Sequence, residues 1–118
     1  MNYLTKDDGI RIINKLLNER VRDFYSYNRI IKEKLNITRN IPIYISDDIV
    51  LLPIKRYNDF DCMWINYKRI DTFLSYGGKT IIKFIDKSVK TFEISQKKLE
   101  RIIKNAIIII DYFHKFER

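Results

Sequence analysis

Near the start of the chain, apolar residues recur at helical spacing, at Ile10, Ile13, Leu17, Val21 and Phe24, behind a Thr5 and Asp8 capping pair. The spacing predicts an amphipathic first helix whose weak point is Gly9, a poor helix former. A second, shorter helix is expected over residues 26–35, with Ile30, Ile31 and Leu35 inward, Arg29, Lys32 and Lys34 outward, and Asn36 at its end. From Ile41 the pattern changes to short β-branched and aromatic runs over 41–45, 49–54, 62–67, 69–74, 80–85 and 89–94, most of them expected strands. Asp47-Asp48, Gly77-Gly78 and Asp86-Lys87-Ser88 separate them as tight turns, which predicts antiparallel pairing in a meander. Pro42 and Pro53 point to edges or bulges, because proline cannot donate to a ladder. After Ser95, a natural cap, Leu99, Ile102, Ile103, Ala106, Ile110 and Phe113 form the inward stripe of a final helix reaching Phe116.

These elements predict an α+β fold: N-terminal helices, an antiparallel β-meander of about six strands, and a C-terminal helix packed on the sheet. With 118 residues the chain is expected to form one domain, helical over 1–38, a β-meander over 39–95 and a helix over 96–118. On that last helix Lys97, Arg101 and Lys104 lie opposite the apolar stripe, but Ile108 and Tyr112 lie there too. A helix apolar on both sides is buried on both sides or self-associates. Two readings therefore stand: a dimer contact at Ile108, Ile109 and Tyr112, or a patch covered by the first helix within one subunit.

Composition narrows the class. Apolar residues make up 46% of the chain and charged residues 32%, a globular balance that excludes a disordered segment. The longest apolar run, 106–110, falls far short of the roughly 20 residues that span a bilayer. The N-terminus lacks a basic-then-apolar signal pattern, and the lone Cys62 cannot form an internal disulfide. A cytoplasmic protein with no membrane partner is expected, with Cys62 as a small core residue. The net charge of +8 fits a phosphate-bearing partner or serves solubility. The excess is uneven: +4 over residues 1–40, −1 over 41–75 and +5 over 76–118.

Catalytic chemistry is hard to assemble from these residues. His114, the single histidine, sits near the end of the last helix and reads as a surface or packing residue. Asp59 and Asp61 have no further ligand at metal-binding spacing. Gly77-Gly78-Lys79-Thr80 resembles the end of a phosphate-binding loop but lacks the earlier glycine and precedes a strand, so a hairpin turn is expected. No serine or cysteine has an evident base partner. The reading is a non-enzyme that needs no cofactor and no metal.

The basic residues carry more information. Period-two alternation places Lys79 and Lys83 on one face of a hairpin, with Lys87 in its turn and Lys90 on the returning strand. Such a ribbon enters a DNA groove or tracks phosphates, or is simply a strand face turned to water. Lys55-Arg56 and Lys68-Arg69 are further pairs beside Tyr57, Phe60, Trp64 and Tyr67. Basic residues interleaved with aromatics suit nucleic acid, although a tryptophan in a strand is usually core.

Beyond these patterns, the succession Ser26, Lys34-Leu35-Asn36-Ile37, Ile41-Pro42-Ile43-Tyr44-Ile45, Val50-Leu51-Leu52-Pro53-Ile54 and Asp61-Cys62-Met63-Trp64-Ile65-Asn66 resembles the central region of the ComK family. Thr80-Ile81-Ile82-Lys83-Phe84 and Phe92-Glu93-Ile94-Ser95 continue the resemblance in order. It implies a transcription factor of genetic competence in low-G+C Gram-positive bacteria that binds paired A/T-rich boxes of double-stranded DNA through the minor groove as an oligomer. Lys55, Arg56, Lys68, Arg69, Lys79, Lys83, Lys87 and Lys90 are then the DNA-binding candidates. Two departures stand out: Leu52-Pro53-Ile54 replaces the family's more usual aromatic-proline-threonine, and the long C-terminal extension of full-length members, tied to activation and proteolytic control, is missing. A short form of this kind is expected to bind DNA without activating in the usual way, or to pair with a full-length relative. The alternatives are a protein-interaction module, since strands followed by one capping helix also resemble a pleckstrin-homology-like domain, and a mobile-element inhibitor of a host protein.

Overall fold

The computed structural model describes residues 1–18, 23–55 and 62–116. Val21, Arg56, Tyr57, Asp59, Phe60 and Asp61, named above, lie outside the described residues, as do the side chains of Asp8 and Ile10. The elements in chain order are β1 (Tyr3–Thr5), α1 (Lys6–Asn18), α2 (Phe24–Leu35), β2 (Ile43–Ser46), β3 (Ile49–Pro53), β4 (Met63–Asn66), a 3-10 turn (Tyr67–Arg69), β5 (Ile70–Tyr76), β6 (Lys79–Phe84), β7 (Val89–Phe92) and α3 (Gln96–Phe116). The fold is α+β, with the expected helix at the C-terminus.

Capping side chains set the helix boundaries. The Asp23 carboxylate accepts the Ser26 N–H at 2.8 Å, so Phe24 begins α2 instead of ending the first helix. Asn36 ends α2 in the left-handed conformation, at φ 55. The Ser95 hydroxyl accepts the Lys98 N–H at 3.2 Å where α3 starts.

All six expected strands form, in two antiparallel sheets of order β1-β4-β3-β2 and β5-β6-β7. A seventh strand, β1, pairs Tyr3, Leu4 and Thr5 with Ile65, Trp64 and Met63. Three residues are too few for alternation to reveal it in the sequence. The chain leaves the first sheet at Asn66, which is 1% exposed. Its side-chain oxygen accepts the N–H groups of Val50 at 3.1 Å and Lys68 at 3.2 Å, and its amide donates to the carbonyls of Met1 at 3.0 Å and Asp48 at 3.3 Å. One buried side chain thus holds β3, the N-terminus, the β2–β3 turn and the turn that redirects the chain into the second sheet.

The first sheet is covered on both faces. Ile43, Ile45, Leu51 and Trp64 meet Ile13 and Leu17 of α1 and Phe24, Tyr27 and Ile31 of α2. Val50, Leu52 and Ile65 point the other way, into a second core with Ile82, Phe84 and Phe92 of the second sheet and Leu99, Ile102 and Ala106 of α3. Coverage on both faces explains why residues 50–54 are apolar and buried at every position, where a half-exposed strand would alternate. Helix α3 belongs to both cores, since Ile109 and Phe113 lie in the first. Phe113 stacks between Tyr44, at 4.8 Å, and Tyr27, at 5.9 Å between ring centroids. The Tyr27 hydroxyl donates to the Pro42 carbonyl at 2.8 Å and accepts the Tyr44 N–H at 2.9 Å, fastening α2 to the start of β2. Cys62 is buried in the same core.

Candidate nucleic-acid interface

The second sheet has one buried and one open face. Thr80, Ile82 and Phe84 alternate inward on β6, so Lys79, Ile81 and Lys83 point outward. Register extends that outward face across three strands: Thr72, Lys83 and Val89 form one row, Leu74, Ile81 and Thr91 the next, and Tyr76 lies beside Lys79. Leu74 is 56% exposed, Tyr76 66% and Val89 61%. Two lysines therefore stand among apolar and threonine side chains on a sheet face open to solvent. Lys79 pairs with Glu93 at 3.5 Å. Lys83 has no ion-pair partner among the described residues.

The other basic candidates take several positions. Lys87 occupies the β6–β7 turn at φ 79, just beyond the row that contains Lys83. Lys68 and Arg69 sit in the 3-10 turn at the same end of the sheet, where the Arg69 carbonyl accepts the Ile85 N–H at 2.9 Å. Lys68 lies over the Tyr67 ring at 6.0 Å. The Arg69 side chain serves the fold: its Nε donates to the Asn2 Oδ1 at 3.2 Å. The Asn2 amide donates in turn to Asp86 at 3.0 Å and Ser88 at 3.2 Å, which ties β1 to the β6–β7 turn. These bonds, first those from the Ser88 hydroxyl and N–H and then that from Asn2, with the Arg69 charge nearby, hold the Asp86 carboxyl at about 2.

Lys90 departs from the ribbon drawn from sequence. It is opposite Ile82, on the inward-pointing side of β7, with its ammonium 5.3 Å from the Tyr3 ring centroid and 5.8 Å from that of Phe92. Lys55 follows β3 of the first sheet, not the hairpin of the second, and its carbonyl accepts from the Cys62 thiol at 3.6 Å. Arg56 lies outside the described residues. The structure thus gathers Lys68, Arg69, Lys83 and Lys87 at one end of the second sheet, with Lys79 on the same open face at the other end. Thr72, Leu74, Tyr76, Val89 and Thr91, which complete this face, were not among the candidates. Alternation in β5 and β7 contains them, but only the cross-strand register brings them beside the lysines.

Of the three residues considered for self-association, Ile108 is 43% exposed, whereas Ile109 is fully buried in the first core and Tyr112 packs half-buried against it. The intrachain reading accounts for Ile109, because α1 contributes Ile13 and Leu17 to that core. Ile107, 52% exposed, stands beside Ile108 instead.

His114 bonds Asp47 at 2.8 Å, joining the end of α3 to the β2–β3 turn. The Asp47 carboxyl is held below its ordinary value, first by the Tyr44 hydroxyl and then by His114. Among the described residues no three His, Cys, Asp or Glu side chains come together as a metal cage, and no helix is long and apolar enough to cross a membrane.

No curated protein and no solved structure gives a match to the chain. The family model described as ComK protein matches residues 1–116. The chain therefore belongs to the ComK family, a family of competence transcription factors.

Proposed function

We propose that this protein is a DNA-binding regulator of the ComK type that binds A/T-rich duplex with the open face of its second sheet and acts as a dimer or higher oligomer. The observation that carries the reading is the composition of that face: Lys79 and Lys83 among Thr72, Leu74, Tyr76, Ile81, Val89 and Thr91. It offers no Asn or Gln to read adenine bidentately in the major groove, and its two lysines serve equally as phosphate contacts. Lysines that follow phosphates, joined with apolar side chains that wedge between base steps, are what minor-groove binding by a sheet employs. The A/T-rich minor groove is narrow and strongly negative, and A/T steps such as TA deform readily, which gives preference without base-edge hydrogen bonds. Three strands at about 4.8 Å spacing make a surface wider than the roughly 6 Å minor groove, so docking opens and bends the duplex. In this reading Lys87 and Lys68 at the end of the sheet meet flanking phosphates, with Arg69 adding its charge beside them while its Nε stays bonded to Asn2.

The test is a fluorescence-anisotropy titration of the protein with A/T-rich and G/C-rich duplexes at low and high salt. Binding that is tighter on A/T and falls steeply with salt is the expected result. Absence of binding to either duplex overturns the reading and leaves the same exposed face as a protein-docking surface.

A further inference from the structure

Helix α3 has an open side whose charges follow an ordered sequence. Ile107 and Ile108 are 52% and 43% exposed near its middle. Glu100 and Lys104 precede them, Asp111 and Lys115 follow them, and all four are exposed. At 3.6 residues per turn these six positions share an arc of about 100° on the side opposite Leu99, Ile102, Ala106, Ile109 and Phe113. Along that arc, after Lys97 at its start, the order is acid, base, two isoleucines, acid, base.

We propose that α3 is a self-pairing surface, on which the α3 of a second copy lies antiparallel about a two-fold axis between Ile107 and Ile108. The occupant and its direction both follow from charge. A two-fold axis at that point places Lys104 opposite the second copy's Asp111, and Glu100 opposite its Lys115, each pairing occurring twice because the contact is isologous. A parallel arrangement sets every charge against its like. The Asp111–Lys115 pair within the helix, at 3.1 Å, then becomes the middle of a longer ladder that runs from Glu100 of one copy to Lys104 of the same copy by way of the other. Four isoleucines fill the centre. Their burial provides most of the attraction, while the flanking charges set register and orientation. The contact is small, so association is expected in the micromolar range.

This surface shares no residue with the open face of the second sheet, and the inference stands whether or not that face binds DNA. A dimer built this way presents two copies of the face to one ligand, which raises avidity without any new contact to it.

The experiment is sedimentation equilibrium of the free protein, without DNA, up to about 100 μM. Wild type is expected to dimerise. Glu100→Lys with Lys104→Glu keeps an acid–base pair within the helix but opposes Lys to Lys115 and Glu to Asp111 of the second copy, and should weaken the dimer by at least about tenfold. Asp111→Lys with Lys115→Glu should do the same. An equimolar mixture of the two double variants restores every pairing and should dimerise about as well as wild type. Exposed charge exchanges of this kind leave the core untouched, and circular dichroism verifies folding. A wild type that stays monomeric overturns the proposal, and so does a mixture that fails to associate while wild type does.

Discussion

Gly9 lies against the face of Trp64 so closely that a Cβ built on it would stand 2.2 Å from the indole Cζ3 and 2.5 Å from Cε3. Real Cβ atoms do not approach so near, and neither partner has room to move, since Trp64 is fully buried and paired through β4 with both β1 and β3. The position that weakens the helix by propensity is the one that lets α1 settle on the sheet. Close packing, not turn geometry, demands glycine here.

Gly9→Ala is therefore expected to destabilise the protein. Alanine gains about 1 kcal/mol of helix propensity, but overpacking a filled core costs about 1–3 kcal/mol and more where the neighbour is rigid. In a Trp64→Leu background the added methyl enters vacated space, so its penalty should vanish. Urea denaturation of the two singles and the double checks this, and equal penalties in both backgrounds would mean that α1 does not rest on this ring.

Asn66→Ala should cost about 2–4 kcal/mol, because it leaves the buried N–H of Val50 and several turn groups without partners. Asn66→Asp should be worse near neutral pH, since a carboxylate would face the Met1 and Asp48 carbonyls that the amide now bonds. Thermal melts of the three proteins provide the comparison. An alanine variant as stable as wild type would show that the junction between the sheets is held elsewhere.

Asp86 predicts an acid-sensitive seam between β1 and the β6–β7 turn. Its folded value of about 2 lies below the ordinary 3.8, so the ionised carboxylate stabilises the fold fully above pH 3.8. That contribution is lost as the pH falls through the interval between these two values. In Asp86→Asn this part of the pH dependence should disappear, so the gap in urea midpoint between wild type and variant should narrow as the medium is taken from about pH 6 to about pH 3. A gap that stays constant would count against the assignment.

Replacing Lys79 and Lys83 together by alanine should weaken duplex binding and reduce the slope of log affinity against log salt by about 1.8. Lys90→Ala removes one such charge from the reverse face, where the ammonium lies over Tyr3 and Phe92, and should leave that slope nearly unchanged. Fluorescence energy transfer across an end-labelled A/T-rich duplex should also report bending upon binding by wild type. If Lys90→Ala does as much damage as the double change, the duplex lies on another surface.

Periodicity and turn chemistry were enough to place nearly every element. Asn36, Gly77-Gly78 and Asp86-Lys87-Ser88 end or turn the chain through local backbone preference, and the stripe from Leu99 to Phe113 can be buried only as a helix. The ComK resemblance is legible from the residue motifs between Ser26 and Ser95, above all the proline-containing strand that ends at Pro53 and the Cys62-Met63-Trp64-Ile65 block, and the family match extends it to residues 1–116. What local pattern could not supply were facts about pairs distant in sequence. The Tyr3–Thr5 strand exists because β4 offers it an edge, Ile109 is buried because α3 crosses from one core to the other, and Gly9 is needed because Trp64 lies beneath it. The same holds for the candidate interface. Alternation in the sequence separates Lys79 and Lys83 from the core, but only the tertiary register decides that Lys90 turns away from them while Leu74, Tyr76 and Val89 stand beside them. A side chain's face within a strand is a local property, whereas its neighbours across the sheet are fixed by pairings that no local spacing records.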